Sequence, residues 1–358
     1  LMNFPGGNPS GEHAHFEVRH WNMEWERGQK LAALESPTMV TLYDTVIAQS
    51  GWSGKRTMAD VELPDAETMK GFDTMWLDLT LGCDGKWEEA CPDWDRETNL
   101  YLCELPVTEN QAADQACQAE VKDTEGTVTT EAETLACECT GAWGAVERSQ
   151  TCNPEGTGFG DCKCPCNHEF ARQISAYKRR GRWVTDVSEL LPLIKAGGTQ
   201  RFGYVTVDKY VLTAKLLLAN TGKAARPDEI HQLWTGKQFN ETYNEQFVPI
   251  DVEVPADVTS VKVVALISGH GSGTDSANCA EFCPHSHHFS LNGQEFVFET
   301  KNAGTQNGCV EQIDLGTVPN QYGTWPFGRA GWCPGMDVKM FVADMTTAMK
   351  SGETNVLS

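Results

Sequence analysis

Nothing in these 358 residues reads as a membrane helix: no apolar run approaches the roughly 18 residues a span requires. Basic residues are scarce. The 28 Lys and Arg face 50 Asp and Glu, a formal net charge of −22; a nucleic-acid partner would want a basic face instead. There is no phosphate-cradling Gly-rich loop, no G-x-S-x-G elbow and no dinucleotide fingerprint, which sets aside three large enzyme classes. No fixed-period repeat is present. The opening "LMNFPGG" has neither a charged n-region nor an apolar h-region.

Cysteine is what the chain has in quantity: 14, an even number, many at short and irregular spacings. The loops between them are rich in Gly, Thr and Glu, which favours disulfides over zinc and a secreted, extracellular or otherwise oxidising location. The sequon Asn240-Glu241-Thr242 supports the same compartment, and the signal peptide this implies is expected to lie outside this stretch. A monomer is expected.

The length favours two domains, since single cores stop growing at roughly 250–300 residues. Residues 1–35 read as an N-terminal extension with a helix near its end. Its His13, His15 and His20 read as surface or packing residues rather than ligands. From about residue 40 the pattern is that of strands. In "MWLDLTLGC", Met75, Leu77, Leu79 and Leu81 alternate with Asp78 and Thr80, the period of a half-buried strand. "KYVLTAKLLLAN" and "VTSVKVVALISG" read likewise. "HHFSLNGQEFVFE" is a hairpin turning at Asn292-Gly293 with Phe289 opposite Phe296, and "DVSELLPLI" suits a short helix. Many strands and little helix point to an all-β protein of two antiparallel sandwiches, over 36–220 and 221–358.

Residues 103–168 interrupt the first. They hold eight Cys, twelve acids and three bases, a net of −9. Such a segment has too few apolar residues for its own core and must be stapled. It reads as a disulfide-rich insertion, more a decoration than a binding module.

Three stretches carry candidate chemistry. In "CPDWDR", Cys91 to Arg96, an extended chain would put Asp93 and Asp95 on one face and Trp94 and Arg96 on the other. Two close carboxylates push one pKa up and so separate an acid from a base; the plain alternative is a surface turn with an Asp–Arg ion pair. A Cys83–Cys91 bridge would fix where the motif starts. In "CAEFC" a Cys279–Cys283 bridge would hold Glu281 on a tight ring. In "GRAGWCPGM", Arg329 offers a fixed fork of donors and Trp332 a flat face for a sugar ring, with Cys309 and Cys333 as the remaining pair. Carboxylates, arginines and tryptophans on disulfide-fixed loops suit a neutral, hydroxyl-rich substrate.

"CPDWDR", "ISGHG…CAEFCPHSHHFSLNG" and "RAGWCPGM", in this order and spacing, resemble the peptide:N-glycosidase F family. The resemblance covers roughly residues 40–102 and 169–340, leaving out the insertion and the first 35 residues. It implies two adjacent antiparallel jelly rolls and a secreted amidase acting on N-glycosylated peptides and proteins. The bond cleaved would join the innermost N-acetylglucosamine to asparagine, with no cofactor and no metal. Asp95 matches the family's principal catalytic carboxylate and Glu281 its second essential acid. Arg96 and Arg329 match substrate-holding arginines, Trp94 and Trp332 nearby aromatics, and His270 falls where the family has an aromatic. A third acid of the family aligns with Thr206 or Val207, and Asp208 is the candidate to replace it. The chain stops before the family's last strands, so a shortened second jelly roll is expected.

Two other function classes remain. His285 and His287, with His270 upstream, have the H-x-H spacing of many copper and zinc sites; they would make a copper-dependent oxidoreductase of similar form. The plainer reading lines His287 up with Phe289 and Leu291 as a hydrogen-bonded core histidine. A non-catalytic glycan-binding protein is the third class.

Overall fold

The computed structural model describes residues 11–85, 90–106, 116–141, 144–153, 156, 158, 164–223, 226–271 and 278–358. Eight strands build the first sandwich: β1 (Thr38–Ala48), β2 (Thr57–Asp65), β3 (Thr74–Gly82), β4 (Glu97–Cys103), β5 (His168–Ile174), β6 (Gly181–Asp186), β7 (Gly197–Thr206) and β8 (Tyr210–Ala219). They form two antiparallel sheets, ordered β1-β8-β3-β6 and β5-β4-β7-β2. Every connection but β4–β5 crosses from one sheet to the other, which is compatible with a jelly roll.

The alternation along β3 is the reason. Met75, Leu77, Leu79 and Leu81 are all fully buried, because successive strand residues face opposite sides. They meet Leu212, Ala214, Leu216 and Leu218 of β8, then Leu100, Phe170, Phe202 and Tyr204 of the other sheet. Burying one such large side chain is worth roughly 1.5–3 kcal/mol. The expected short helix is a 3₁₀ segment, Ser188–Ile194, with Pro192 inside it; proline removes the donor that an α-helix would need.

The insertion leaves the sandwich between β4 and β5. Among the described residues, its hairpin, Thr134–Gly141 with Gly144–Thr151, has a small apolar cluster around Cys152. Cys103–Cys166, Cys117–Cys152 and Cys139–Cys164 staple it. Cys162 lies outside the described residues, and its expected pairing lies there with it.

The C-terminal part carries six strands: β9 (Ile250–Glu253), β10 (Lys262–Leu266), β11 (Ser286–Leu291), β12 (Gln294–Glu299), β13 (Met340–Asp344) and β14 (Thr354–Leu357). They make a sheet ordered β9-β14-β11-β12 and a ribbon β10-β13. The β11–β12 hairpin has Phe289 opposite Phe296, and Asn292 and Gly293 take φ of 52° and 87° at its turn. Among the described residues, fewer strands form here than in the first sandwich. Residues 300–339 run mainly as turns, clipped by Cys309–Cys333.

Those turns join the two halves. Ile174 N donates to Met336 O at 2.8 Å, Gly335 N to Ile174 O at 3.1 Å and Val338 N to Arg172 O at 2.9 Å. The C-terminal chain thus extends the edge of β5. Trp183 Nε1 donates to Gly335 O at 2.8 Å.

The N-terminal helix runs over Gly11–Ala32, most of a segment in which a helix was expected near the end. Phe16, His20, Met23 and Arg27 recur at helical spacing, but two of the four are polar, which hides the face. Phe16 packs on Trp325, Arg19 pairs with Asp314 at 2.6 Å and Arg27 with Asp337 at 3.2 Å. No helix among the described residues is long and apolar enough to cross a membrane.

Candidate active site

Arg329 is the centre of the site. Its side chain is 1% exposed, and it lies between two carboxylates from distant segments. Nη2 is 3.3 Å from Asp95 Oδ2, an ion pair without the alignment of a hydrogen bond. Nε donates to Glu281 Oε1 at 3.2 Å. The remaining donors are fixed by the chain itself: Nη1 to Phe327 O at 2.8 Å and Thr324 O at 3.1 Å, and Nη2 to Thr324 Oγ1 at 2.9 Å. The acids keep an open side, Asp95 at 13% and Glu281 at 15% exposure.

Each carboxylate has its own support. Cys83–Cys91 closes the loop before Asp95. Ser175 Oγ then donates to Trp94 O at 2.9 Å and accepts from Arg96 N at 2.8 Å, so one hydroxyl spans the residue that carries the acid. Cys279–Cys283 closes a single helical turn around Glu281. Ala330 N donates to Glu281 O at 2.8 Å. Gly331 sits at φ +81°, and a side chain there would meet Ile267 O at 2.4 Å. Only glycine permits this close approach.

Burial pushes the Asp95 carboxyl above its ordinary range; Arg329 and a hydrogen bond from Tyr177 pull it back in part, while the charge of Glu281 adds to the rise. Burial and the negative charge of Asp95 move the Tyr177 phenol up to about 12, so it stays a donor.

Beside Asp95 the surface opens onto aromatics. The Arg96 guanidinium lies 4.9 Å from the Trp52 ring and 5.7 Å from the Trp94 ring. Its Nε is 3.5 Å from Asp208 Oδ2. Thr206 is buried, its hydroxyl bonded to Asp208 O at 3.1 Å. Of positions 206 and 208, the latter therefore brings its side chain to the site.

Trp332 is placed differently from the expectation of an open ring face. It is 2% exposed, with Arg329 at 4.9 Å and His270 stacked at 4.8 Å. Its Nε1 donates to Gly269 O at 2.7 Å. The reason is the junction itself: Trp332 packs with Ile174 and Val338 where the halves meet. Trp94, 57% exposed, keeps its surface free. His270 Nε2 lies 2.9 Å from Glu97 Oε2. Burial disfavours the Glu97 charge, but His270, Arg172 and Asn99 outweigh it and bring its pKa to about 2.

Asp93 does not share a face with Asp95. It turns outward and pairs with Lys178 at 2.8 Å, because the segment is a bend rather than a strand. His285 and His287 stand 5.1 Å apart among Phe239, Tyr243 and Phe298. His287 Nε2 has no hydrogen-bond partner, unlike the core histidine expected, and burial lowers its pKa to about 4. His270 is not with them, and among the described residues no group of three or more His, Cys, Asp or Glu could hold a metal.

Tyr177, Ser175, Glu97 and Trp52 were not singled out by the sequence. "SAYKRR" carries no motif. Trp52 had a signal, since "SGWSG" is a turn composition around one large aromatic.

The arrangement offers one cation to two acids, a carboxyl shifted toward proton exchange and a phenol donor. That set can activate a water and stabilise a developing oxyanion.

Residues 238–358 match the family model described as "Peptide-N-glycosidase F, C terminal". No curated protein sequence matches the chain. Three solved structures are similar over most of it. Recombinant peptide:N-glycanase F (PNGase F) is 17% identical, with a TM-score of 0.53, covering 90% of this chain and 87% of that one. A peptide-N(4)-(N-acetyl-β-D-glucosaminyl) asparagine amidase is 15% identical, TM-score 0.54, covering 90% and 87%. PNGase F, a glycosylasparaginase from Flavobacterium meningosepticum, is 16% identical, TM-score 0.53, covering 90% and 88%. At these identities the likeness is one of fold.

Proposed function

We propose that this chain, a PNGase F-like protein, is an amidase that hydrolyses the bond between the innermost N-acetylglucosamine and asparagine of N-glycosylated peptides and proteins. The observation that carries this reading is the buried Arg329 between Asp95 and Glu281, at 3.3 and 3.2 Å. The carboxylates come from the two halves of the molecule and meet at their junction.

Asp95 is the general base. Its raised pKa brings proton exchange closer to working pH, where a base is most effective. It takes a proton from water as the oxygen attacks the amide carbonyl. Arg329, buried and with its donors already taken, holds the two acids together and favours the developing oxyanion by its charge alone, and Tyr177 holds Asp95 in place. Glu281 binds a sugar hydroxyl and, as a like charge, keeps the base poised. Arg96, Trp94 and Asp208 bind the glycan at the rim, with His270 behind. Trp332 supports Arg329 from below.

Atoms balance without a cofactor. The water oxygen enters the new aspartate carboxyl, the C–N bond breaks, and the nitrogen leaves on the sugar as a glycosylamine carrying the transferred proton. The test is to incubate the protein with a denatured glycoprotein and weigh the released peptide. Asn must become Asp. Glycan binding without that mass change would overturn the amidase and leave a binding protein.

A further inference from the structure

Asn240-Glu241-Thr242 is the one sequon in the 358 residues; Asn8-Pro9-Ser10 is barred by its proline. A sequon by itself is a frequent accident of composition. The fold gives this one more than its letters. All three of its residues are exposed, as a bulky modification requires. Thr242 N and Thr242 Oγ1 donate to Asn240 Oδ1 at 3.1 and 3.0 Å, an Asx turn. Both bonds go to the oxygen. Nδ2, the atom that carries a glycan, is left without a partner among the described residues.

The turn is anchored on both sides. Tyr243 N closes it by donating to Asn240 O at 3.0 Å. Phe239 and Tyr243 pack on each other with ring centroids 5.1 Å apart. They reach β11 through His285, 5.0 Å from Phe239, and His287, 6.1 Å from Tyr243. The rings hold the turn down while the amide between them stays in water, so a glycan on Nδ2 disturbs no packed contact. Its removal disturbs none either. An aspartate at position 240 keeps an acceptor oxygen for the two Thr242 donors.

We infer that Asn240 is an N-glycan acceptor, and that a second copy of this chain removes the glycan it receives and leaves an aspartate at position 240. The inference rests on the amidase reading above. The glycan donor is a lipid-linked oligosaccharyl pyrophosphate of a glycosylating secretory pathway. Nδ2 attacks its anomeric carbon, the C–O bond breaks with its electron pair on the pyrophosphate, and one Nδ2 proton passes to solvent. In the active site of another molecule, water then attacks the side-chain carbonyl of Asn240. The water oxygen enters the new carboxyl, the C–N bond breaks, and the nitrogen leaves on the sugar with the transferred proton. Two rings and the closing hydrogen bond tie Asn240 to its own surface, so this step runs between copies.

Native, Asp95→Asn and Thr242→Ala proteins are made in one glycosylating eukaryotic secretory host, and the peptide that holds position 240 is weighed. Asp95→Asn should carry a glycan there. The native protein should carry an aspartate and no glycan. Thr242→Ala should keep plain asparagine and native turnover on an added glycopeptide. Native enzyme is then mixed with glycosylated Asp95→Asn protein in heavy-oxygen water. The glycan mass should be lost, one heavy oxygen should enter position 240, and the rate should rise in proportion to the native enzyme added. Plain asparagine at position 240 of Asp95→Asn overturns the acceptor. An aspartate there in Asp95→Asn assigns the removal to the host and overturns self-processing. A glycan that survives on native protein able to convert a separate glycopeptide also overturns self-processing, while the amidase stands. A glycan that survives on native protein unable to convert that glycopeptide overturns both.

Discussion

Two buried clusters of carboxylate and guanidinium are balanced in opposite ways. In one, Asp337 is met by two cations: Arg27 from the N-terminal helix at 3.2 Å, and Lys339. Thr185 Oγ1 donates to its other oxygen at 2.8 Å. Burial disfavours the Asp337 charge, but Lys339 and Arg27 outweigh it and hold its pKa low. In the other, a single Arg329 serves both Asp95 and Glu281. Asp95 is short of positive charge, and burial wins. The first cluster is a clamp that fastens a helix. The second leaves a carboxyl, the proposed base, more ready to accept a proton. Charge count, more than burial, separates structure from chemistry here.

The comparison breaks first at the shared cation. Arg329→Leu leaves two acids facing each other without a partner, which should cost about 3–5 kcal/mol and abolish turnover; denaturant unfolding and a glycan-release assay read both. Asp337→Asn should cost a similar or slightly smaller amount, about 3–5 kcal/mol at neutral pH, while each folded molecule keeps its turnover. The stabilisation by Asp337 is present above the ordinary carboxylate pKa of 3.8 and is lost as pH falls through its lowered value. The gap between native and variant unfolding curves should therefore close in acid.

Replacing both Cys279 and Cys283 by Ser removes a small ring, worth about 2 kcal/mol or less in chain entropy. Turnover should fall only in part, since Arg329 still holds Glu281.

The smallest stability effect has the opposite sign. Asp95 keeps its proton to higher pH when folded than when unfolded. Ionised Asp95 therefore costs stability at neutral pH, and the cost disappears as pH falls below its unfolded value. Asp95→Asn should melt at the same temperature as the native protein or slightly higher at pH 7, with the difference shrinking in acid. A clear fall in melting temperature at pH 7 would mean that Asp95 is a structural ion pair like Asp337.

Much of this is legible in the sequence. The period-two strands, the hairpin at Asn292-Gly293 and the Cys83–Cys91, Cys279–Cys283 and Cys309–Cys333 bridges all stand as expected. They are set by local alternation, by turn chemistry and by short cysteine spacings. Contacts between segments distant in sequence were not legible. Tyr177 reaches Asp95 from a stretch with no motif, and Trp332 is covered because two distant segments close over it. The long N-terminal helix hid because His20 and Arg27 occupy its inner face while Trp21 and Trp25 point outward. Asp93 was misplaced because a bend replaces the extended chain that would have aligned it with Asp95.

The two acids of "CPDWDR" give the most direct measurement. One N-glycopeptide is incubated with native protein, with Asp95→Asn and with Asp93→Asn, and the peptide is weighed over time. The native protein should convert Asn to Asp. Asp93→Asn should do so at nearly the native rate, because its exposed pair with Lys178 is worth roughly 0–1 kcal/mol. Asp95→Asn should be slower by about 10²–10⁴. Equal losses in the two variants, or an Asp95→Asn protein at native speed, would contradict the mechanism.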